Sequence, residues 1–164
     1  MNAKLCGPSG VFVSNGEVFI VDACNYRVRK LLRNGQITTI AGVADLRNQS
    51  EAMELNCPYS VVVSSSYQVY ISEWFGHRIK KIDQCGVIST IAGTGKRGFD
   101  GDGQLAVNAL LNCPCGLFVT DDEEVLFADS VNNRVRKIGN GVITTIAGNG
   151  EIGYNGDNLL ATNA

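Results

Sequence analysis

The chain has 164 residues, 45% of them hydrophobic and 18% charged, with a formal net charge of −2. That is enough apolar material for a core and excludes a disordered acidic tail. The near balance of 14 Lys+Arg against 16 Asp+Glu argues against a dominant nucleic-acid-binding role, which shows a basic excess. Gly at 19 against Pro at 3 points to many tight turns. No apolar run approaches the roughly 20 residues that cross a bilayer. The start, Met1-Asn2-Ala3-Lys4-Leu5-Cys6, lacks the apolar stretch of a signal peptide. The expectation is a soluble chain, cytoplasmic by default.

In chain order, the first strand signals are Gly10-Val11-Phe12-Val13, then Val18-Phe19-Ile20-Val21-Asp22, with Asn15-Gly16 between them as a two-residue hairpin. Asn25-Tyr26-Arg27-Val28-Arg29-Lys30-Leu31 follows, then Gly35-Gln36-Ile37-Thr38-Thr39-Ile40-Ala41-Gly42. The same four segments return as Ser60-Val61-Val62-Val63, Val69-Tyr70-Ile71-Ser72-Glu73, Gly76-His77-Arg78-Ile79-Lys80-Lys81-Ile82 and Gly86-Val87-Ile88-Ser89-Thr90-Ile91-Ala92-Gly93. They return again as Gly116-Leu117-Phe118-Val119, Val125-Leu126-Phe127-Ala128-Asp129, Asn132-Asn133-Arg134-Val135-Arg136-Lys137-Ile138 and Gly141-Val142-Ile143-Thr144-Thr145-Ile146-Ala147-Gly148. Pro8, Pro58 and Pro114 mark one point in each copy, 50 and 56 residues apart. The repeats run over about 8–42, 58–93 and 114–148, with linkers 43–57, 94–113 and 149–164, in a single segment 1–164.

Four β-prone segments joined by tight turns predict an up-and-down antiparallel sheet. The first two strands of each copy are apolar on both alternating faces, which requires a neighbour on each side. Stacked four-stranded sheets at this period predict an all-β fold: β-propeller blades of four antiparallel strands, about three of them, in an incomplete ring. The run Asp-x-x-Asn-x-Arg-Val-Arg-Lys followed by Gly-x-Ile-Thr-Thr-Ile-Ala-Gly resembles the NHL repeat. The linker Gly98-Phe99-Asp100-Gly101-Asp102-Gly103-Gln104-Leu105-Ala106 is similar to those between such repeats. Copy two departs at Glu73 and Gly76, and linker 43–57 is shorter and lacks Gly-Asp-Gly. The repeat phase stops inside a unit, which predicts either a fragment of a longer chain or a half-propeller that closes with a second copy. Either way, open blade faces predict self-association.

Asp22 and Arg27, Glu73 and Arg78, and Asp129 and Arg134 flank the same turn in each copy and are expected to form structural ion pairs. The alternative for the basic run, as Arg27, Arg29 and Lys30 with its two recurrences, is a phosphate-facing ring. The resemblance allows this, since NHL propellers of some tripartite-motif proteins bind RNA. Asp100-Gly101-Asp102-Gly103 looks like a calcium loop, but its twelfth position is Leu111 rather than Glu, so no metal is expected there. Asp102 reads instead as the cap of a short helix running from Ala106 to Leu111. Cys6, Cys24, Cys57, Cys85, Cys113 and Cys115 lack a zinc spacing and are expected to be mostly reduced apolar fillers. His77 is the sole histidine, in the slot of Tyr26 and Asn133, so no repeated Ser-His-Asp set or His-rich zinc site arises. Amidating lyases that share the NHL propeller use metal-binding histidines with no match here. Trp74 and Phe75, beside His77, form either a binding spot on the rim or packing against the next blade.

No catalytic constellation and no cofactor site emerges, so the expected role is protein–protein interaction, scaffold or sensor module, with an unidentified protein partner and no nucleic acid. The alternatives are a propeller enzyme whose central-channel metal site is completed by further blades, and an RNA-binding surface.

Overall fold

A computed structural model of the chain describes residues 3–42 and 55–164. Most of the expected linker 43–57 therefore lies outside the described residues. The first sheet holds β1 (Pro8–Ser14), β2 (Glu17–Asp22), β3 (Arg27–Leu31) and β4 (Ile37–Gly42). The second holds β5 (Pro58–Val63), β6 (Val69–Glu73), β7 (Arg78–Ile82) and β8 (Ile88–Ala92). The third holds β9 (Pro114–Val119), β10 (Val125–Asp129), β11 (Arg134–Gly139) and β12 (Val142–Ala147). Each sheet is antiparallel with its strands in chain order, because short polar turns leave only the adjacent strand within reach. At the first hairpin Asn15 and Gly16 both take positive φ, 49° and 73°, the pair of left-handed residues that matches the twist of the flanking strands.

The three sheets stack face to face as blades one, two and three, with first strands side by side along one edge of the stack: β1 against β5, β5 against β9. Strand parity assigns the two faces of each blade. Phe19, Val21 and Val28 of blade one meet Val61, Val63, Val69, Ile71 and Ile82 of blade two in one core. Val62, Tyr70 and Ile79 on the opposite face of blade two meet Val125, Phe127, Ile138 and Ile143 of blade three in the other. Blade two is thus covered on both sides, and every residue of β6 is buried. The described blades do not close into a ring.

Two expectations are corrected. The helix expected from Ala106 to Leu111 is a single 3₁₀ turn, Ala106–Asn108, preceded by Leu105 without a side-chain cap, so Asp102 is not its cap. The cysteines are all free, but only Cys113 is buried. Cys6, Cys24 and Cys85 are exposed because they sit in turns rather than between blades.

Candidate functional site

The β2–β3, β6–β7 and β10–β11 turns lie at one end of the stack, next to the start of each first strand, because Pro8 pairs with Asp22, Pro58 with Glu73 and Pro114 with Asp129. One buried acid organises each turn. The Asp22 carboxylate accepts from the Cys6 backbone N–H at 2.7 Å, Glu73 from Asn56 N–H at 2.9 Å and Asp129 from Asn112 N–H at 2.7 Å. Each acid therefore clamps the incoming first strand to the turn. Asn25 and Asn132 add a side-chain N–H to Asp22 and Asp129. Blade two has no such Asn: a Cβ on Gly76 would come within 2.5 Å of Glu73 Oε2. Glu73 and Gly76 are thus a matched pair, the longer acid filling the volume that Asn occupies in the other blades.

The acids do not take their ion pairs as expected. Arg27, Arg78 and Arg134 stand opposite Asp22, Glu73 and Asp129 in register. The guanidinium that meets Asp22, at 3.6 Å, is that of Arg29, and the one that meets Asp129, at 3.5 Å, is that of Arg136. Both lie two residues further along the same face of the strand. On Glu73 the stronger attraction likewise comes from Lys80 before Arg78. Arg134 instead donates to the carbonyls of Asn132 and Asn149 and lies 3.7 Å over the Phe99 ring. Arg136 is fully buried. It is held by Asp102 at 2.7 Å and by the carbonyls of Asp100 and Leu110 as well as by Asp129. The role of Asp102 is therefore to lock the 94–113 linker to blade three.

Burial pushes the carboxyls of Glu73 and Asp129 up, against the N–H groups and cations that favour the charged form. For Asp102 burial works upward too, but its polar surroundings, the Arg136 guanidinium at 2.7 Å among them, outweigh it and hold its carboxyl below the usual range. Asp22, Glu73 and Asp129 are buried and each accepts a backbone N–H, so their arrangement is structural. Two lysines of the basic run are also paired: Lys30 with Glu17 at 3.4 Å and Lys137 with Glu124 at 2.8 Å. These pairs in blades one and three work against the alternative of a phosphate-facing ring.

The rim presents an apolar surface. The Tyr59 and Trp74 rings stack with centroids 5.0 Å apart, and Phe75 stands 61% exposed beside them. Tyr26 and Val131 are exposed in the corresponding turns of blades one and three. His77 is half-buried with φ 51°, and its Nδ1 accepts from the Cys113 N–H at 3.2 Å. Burial, then the Arg97 charge, lowers its pKa. It therefore fastens the start of blade three rather than joining the exposed patch. Sequence reasoning missed Tyr59 as a rim residue, because it sits at the entry to a first strand, far in sequence from Trp74.

Two concavities lie away from the rim, toward the opposite turns. A cleft of about 480 Å³ between blades two and three is lined by Tyr70, Lys81, Glu123 and Asn140 among others. The Tyr70 hydroxyl donates to Glu123 at 2.5 Å. A groove of about 290 Å³ along the first strands is lined by Val11, Phe12, Val61, Val63, Leu117 and Phe118 among others, with Asp121 and several hydroxyl side chains at one end. Among the described residues no group of three His, Cys, Asp or Glu side chains is placed to hold a metal ion, and no helix is long and apolar enough to cross a membrane.

Four-stranded up-and-down sheets stacked with their first strands side by side are β-propeller blades. The family model of the NHL repeat matches residues 5–31 of this chain, and the three four-stranded sheets among the described residues form propeller blades without a closed ring. The chain is 30% identical over 146 residues to Protein SUPPRESSOR OF QUENCHING 1, chloroplastic, of Arabidopsis thaliana, a match covering 80% of this chain. The chain spans 14% of that relative's length. Among solved structures it is similar to virginiamycin B lyase from Staphylococcus aureus, with TM-score 0.58 and 20% identity, covering 85% of this chain and 40% of that one. It is also similar to an auxiliary nutrient binding protein from Bacteroides thetaiotaomicron, with TM-score 0.68 and 18% identity, covering 89% and 38%. At these identities the likeness shows the fold alone. That fold serves an enzyme and a binding protein alike, so function has to be argued from the site.

Proposed function

We propose that the chain is a protein-binding propeller module whose contact surface is the turn rim around Tyr59, Trp74 and Phe75. The observation that carries this reading is Phe75, a large apolar side chain left in water beside a stacked aromatic pair on a rigid scaffold. Aromatics in such settings anchor protein interfaces. The paired state of Arg29, Lys30, Arg136 and Lys137 favours a protein over a nucleic acid, and binding that varies little with salt is expected. The test is affinity capture with the native chain and with Phe75→Ser, a substitution at a largely exposed position. A specific protein recovered by the native chain and reduced about tenfold or more by Phe75→Ser, with the thermal unfolding curve unchanged, is expected. Equal recovery by both chains, or no specific partner, overturns the reading.

A second reading is a small-molecule or enzymatic site, favoured by the cleft between blades two and three, where Lys81, Asp122 and Glu123 converge beside Tyr70. The groove along the first strands, with one carboxylate, Asp121, among its lining residues, offers little to a metal in a central channel. A ligand in the cleft would be lost with Lys81→Ala and kept with Phe75→Ser.

A further inference from the structure

We infer that the 149–164 linker is a preformed strap that docks on the first blade of a second copy of this chain. The template is inside the molecule. The 94–109 linker leaves blade two and straps itself along the outer edge of blade three. Gly103 N–H donates to the Ile143 carbonyl, Ile143 N–H to Gln104 and Ala106 N–H to Gly141, with Leu105 bridged to Val142. Asn132 donates to the Gly98 carbonyl at 2.7 Å. Phe99 lies under both Arg134 and Arg136, and Asp102 neutralises the buried Arg136.

The 149–164 linker repeats that strap 55 residues on, with Tyr154 for Phe99 and Asp157 for Asp102. Its backbone already has the docked shape. Gly153 and Gly156 take φ 150° and 108°, where Gly98 and Gly101 take 156° and 92°. The same 3₁₀ turn recurs at Ala161–Asn163. Gly148 N–H reaches the Ala161 carbonyl as Gly93 N–H reaches Ala106. A strap shaped before it binds loses little conformational freedom on docking. Yet its contact side chains stand in solvent: Tyr154 is 80% exposed, and Asp157 is exposed.

Blade one carries the complementary half. Asn25, Arg27 and Arg29 occupy the positions of Asn132, Arg134 and Arg136. Among the described residues the outer strand β4 pairs only with β3, leaving the edge at Gly35–Gln36–Ile37 that corresponds to Gly141–Val142–Ile143. The charge signs match, Asp157 to Arg29 as Asp102 to Arg136. The sheet faces match as well. Blade three exposes Phe118, in the position of Val62. Blade one exposes Val11 and Val13, in the positions of Leu117 and Val119, which are packed against the core that holds Val62. A head-to-tail contact of this kind is satisfied twice when two copies close on each other.

The test is light scattering on a sizing column with the full chain at about 50 µM, a concentration suited to a contact of micromolar strength, alongside Asp157→Lys and Tyr154→Ala. Both substitutions fall on solvent-facing side chains. Circular dichroism confirms that each variant keeps the native fold. The native chain is expected as an assembly of 17.5 kDa protomers, with each variant dissociating at least about tenfold more readily. Amide exchange at Ile37 is expected to be slow in the assembly and fast in the variants. A native chain that is monomeric at this concentration leaves the blade-one face to a repeat of some other chain and overturns the proposal. So does an assembly that neither substitution weakens.

Discussion

Glu73 departs from the repeat in two ways that share one cause. It is longer than the Asp at the same place in the other blades, and it lacks their Asn neighbour, because Gly76 makes room for it. Its Oε2 consequently has no hydrogen-bond partner in the buried turn. Restoring Asn alone, as Gly76→Asn, drives the new side chain into the Glu73 carboxylate and is expected to cost about 3 kcal/mol. Adding Glu73→Asp is expected to recover most of that loss, and a double-mutant cycle in urea measures the coupling. If the two costs simply add, the pair is not matched. Titration gives a second handle. Burial holds the folded Glu73 pKa above its unfolded value, so its contribution to stability is full below the unfolded pKa and declines as pH rises through the folded one. Against Glu73→Gln, the native chain should therefore lose relative stability as pH rises above the ordinary carboxylate range, as read from urea midpoints. A relative gain would mean that Lys80 and Arg78 dominate over burial.

Strands and turns were legible because their causes are local: β-branched residues, Asn-Gly hairpins and a proline at each first strand. The partner of each acid was not. Arg27 and Arg29 lie on the same face of β3, and the strand pattern is indifferent to which one bends toward Asp22. The β3–β4 irregularity between Val28 and Arg29 and the packing of neighbouring blades decide it. The role of Asp102 was hidden for a similar reason, since it lies in a linker and its partner Arg136 is 34 residues away on blade three. The glycines that end each fourth strand show how tightly these elements meet. Gly93 sits at φ 90°, and a Cβ there would lie 2.2 Å from the His77 carbonyl oxygen, with Gly42 and Gly148 in the same situation. Gly93→Ala should cost about 3 kcal/mol, from strain and from the backbone shift that the clash demands. Gly103 also has positive φ, but a Cβ there meets nothing within 4 Å, and Asn158 fills the corresponding place in the next linker. Gly103→Ala should cost no more than about 1 kcal/mol. Thermal unfolding of the two variants under one condition separates contact from conformation, and equal losses would assign both to backbone strain.

A stack of repeats is held together by its interfaces, so the same residue has a different energetic weight in each blade. Val11 and Val61 hold one position in the repeat. Val61 is 3% exposed between blades one and two, and Val11 is 63% exposed on the uncovered face of blade one. Truncating Val61 to Ala removes two buried methyl groups and leaves a gap that close-packed neighbours do not refill, a loss of about 2 kcal/mol. Truncating Val11 removes carbon that water already touches and should change the stability of the isolated protomer by less than about 0.5 kcal/mol. The comparison also reports on assembly. Once blade three of a second copy covers blade one, Val11 enters the environment that Val61 already has, and its truncation becomes costly in proportion to the fraction of chain assembled. Urea unfolding of Val11→Ala at low and high protein concentration measures this directly. The cost should be near zero when protomers are dilute and should rise toward that of Val61→Ala when they are concentrated. A cost that stays flat across concentration would mean that the blade-one face remains in water and that the stack of three is complete as a folding unit.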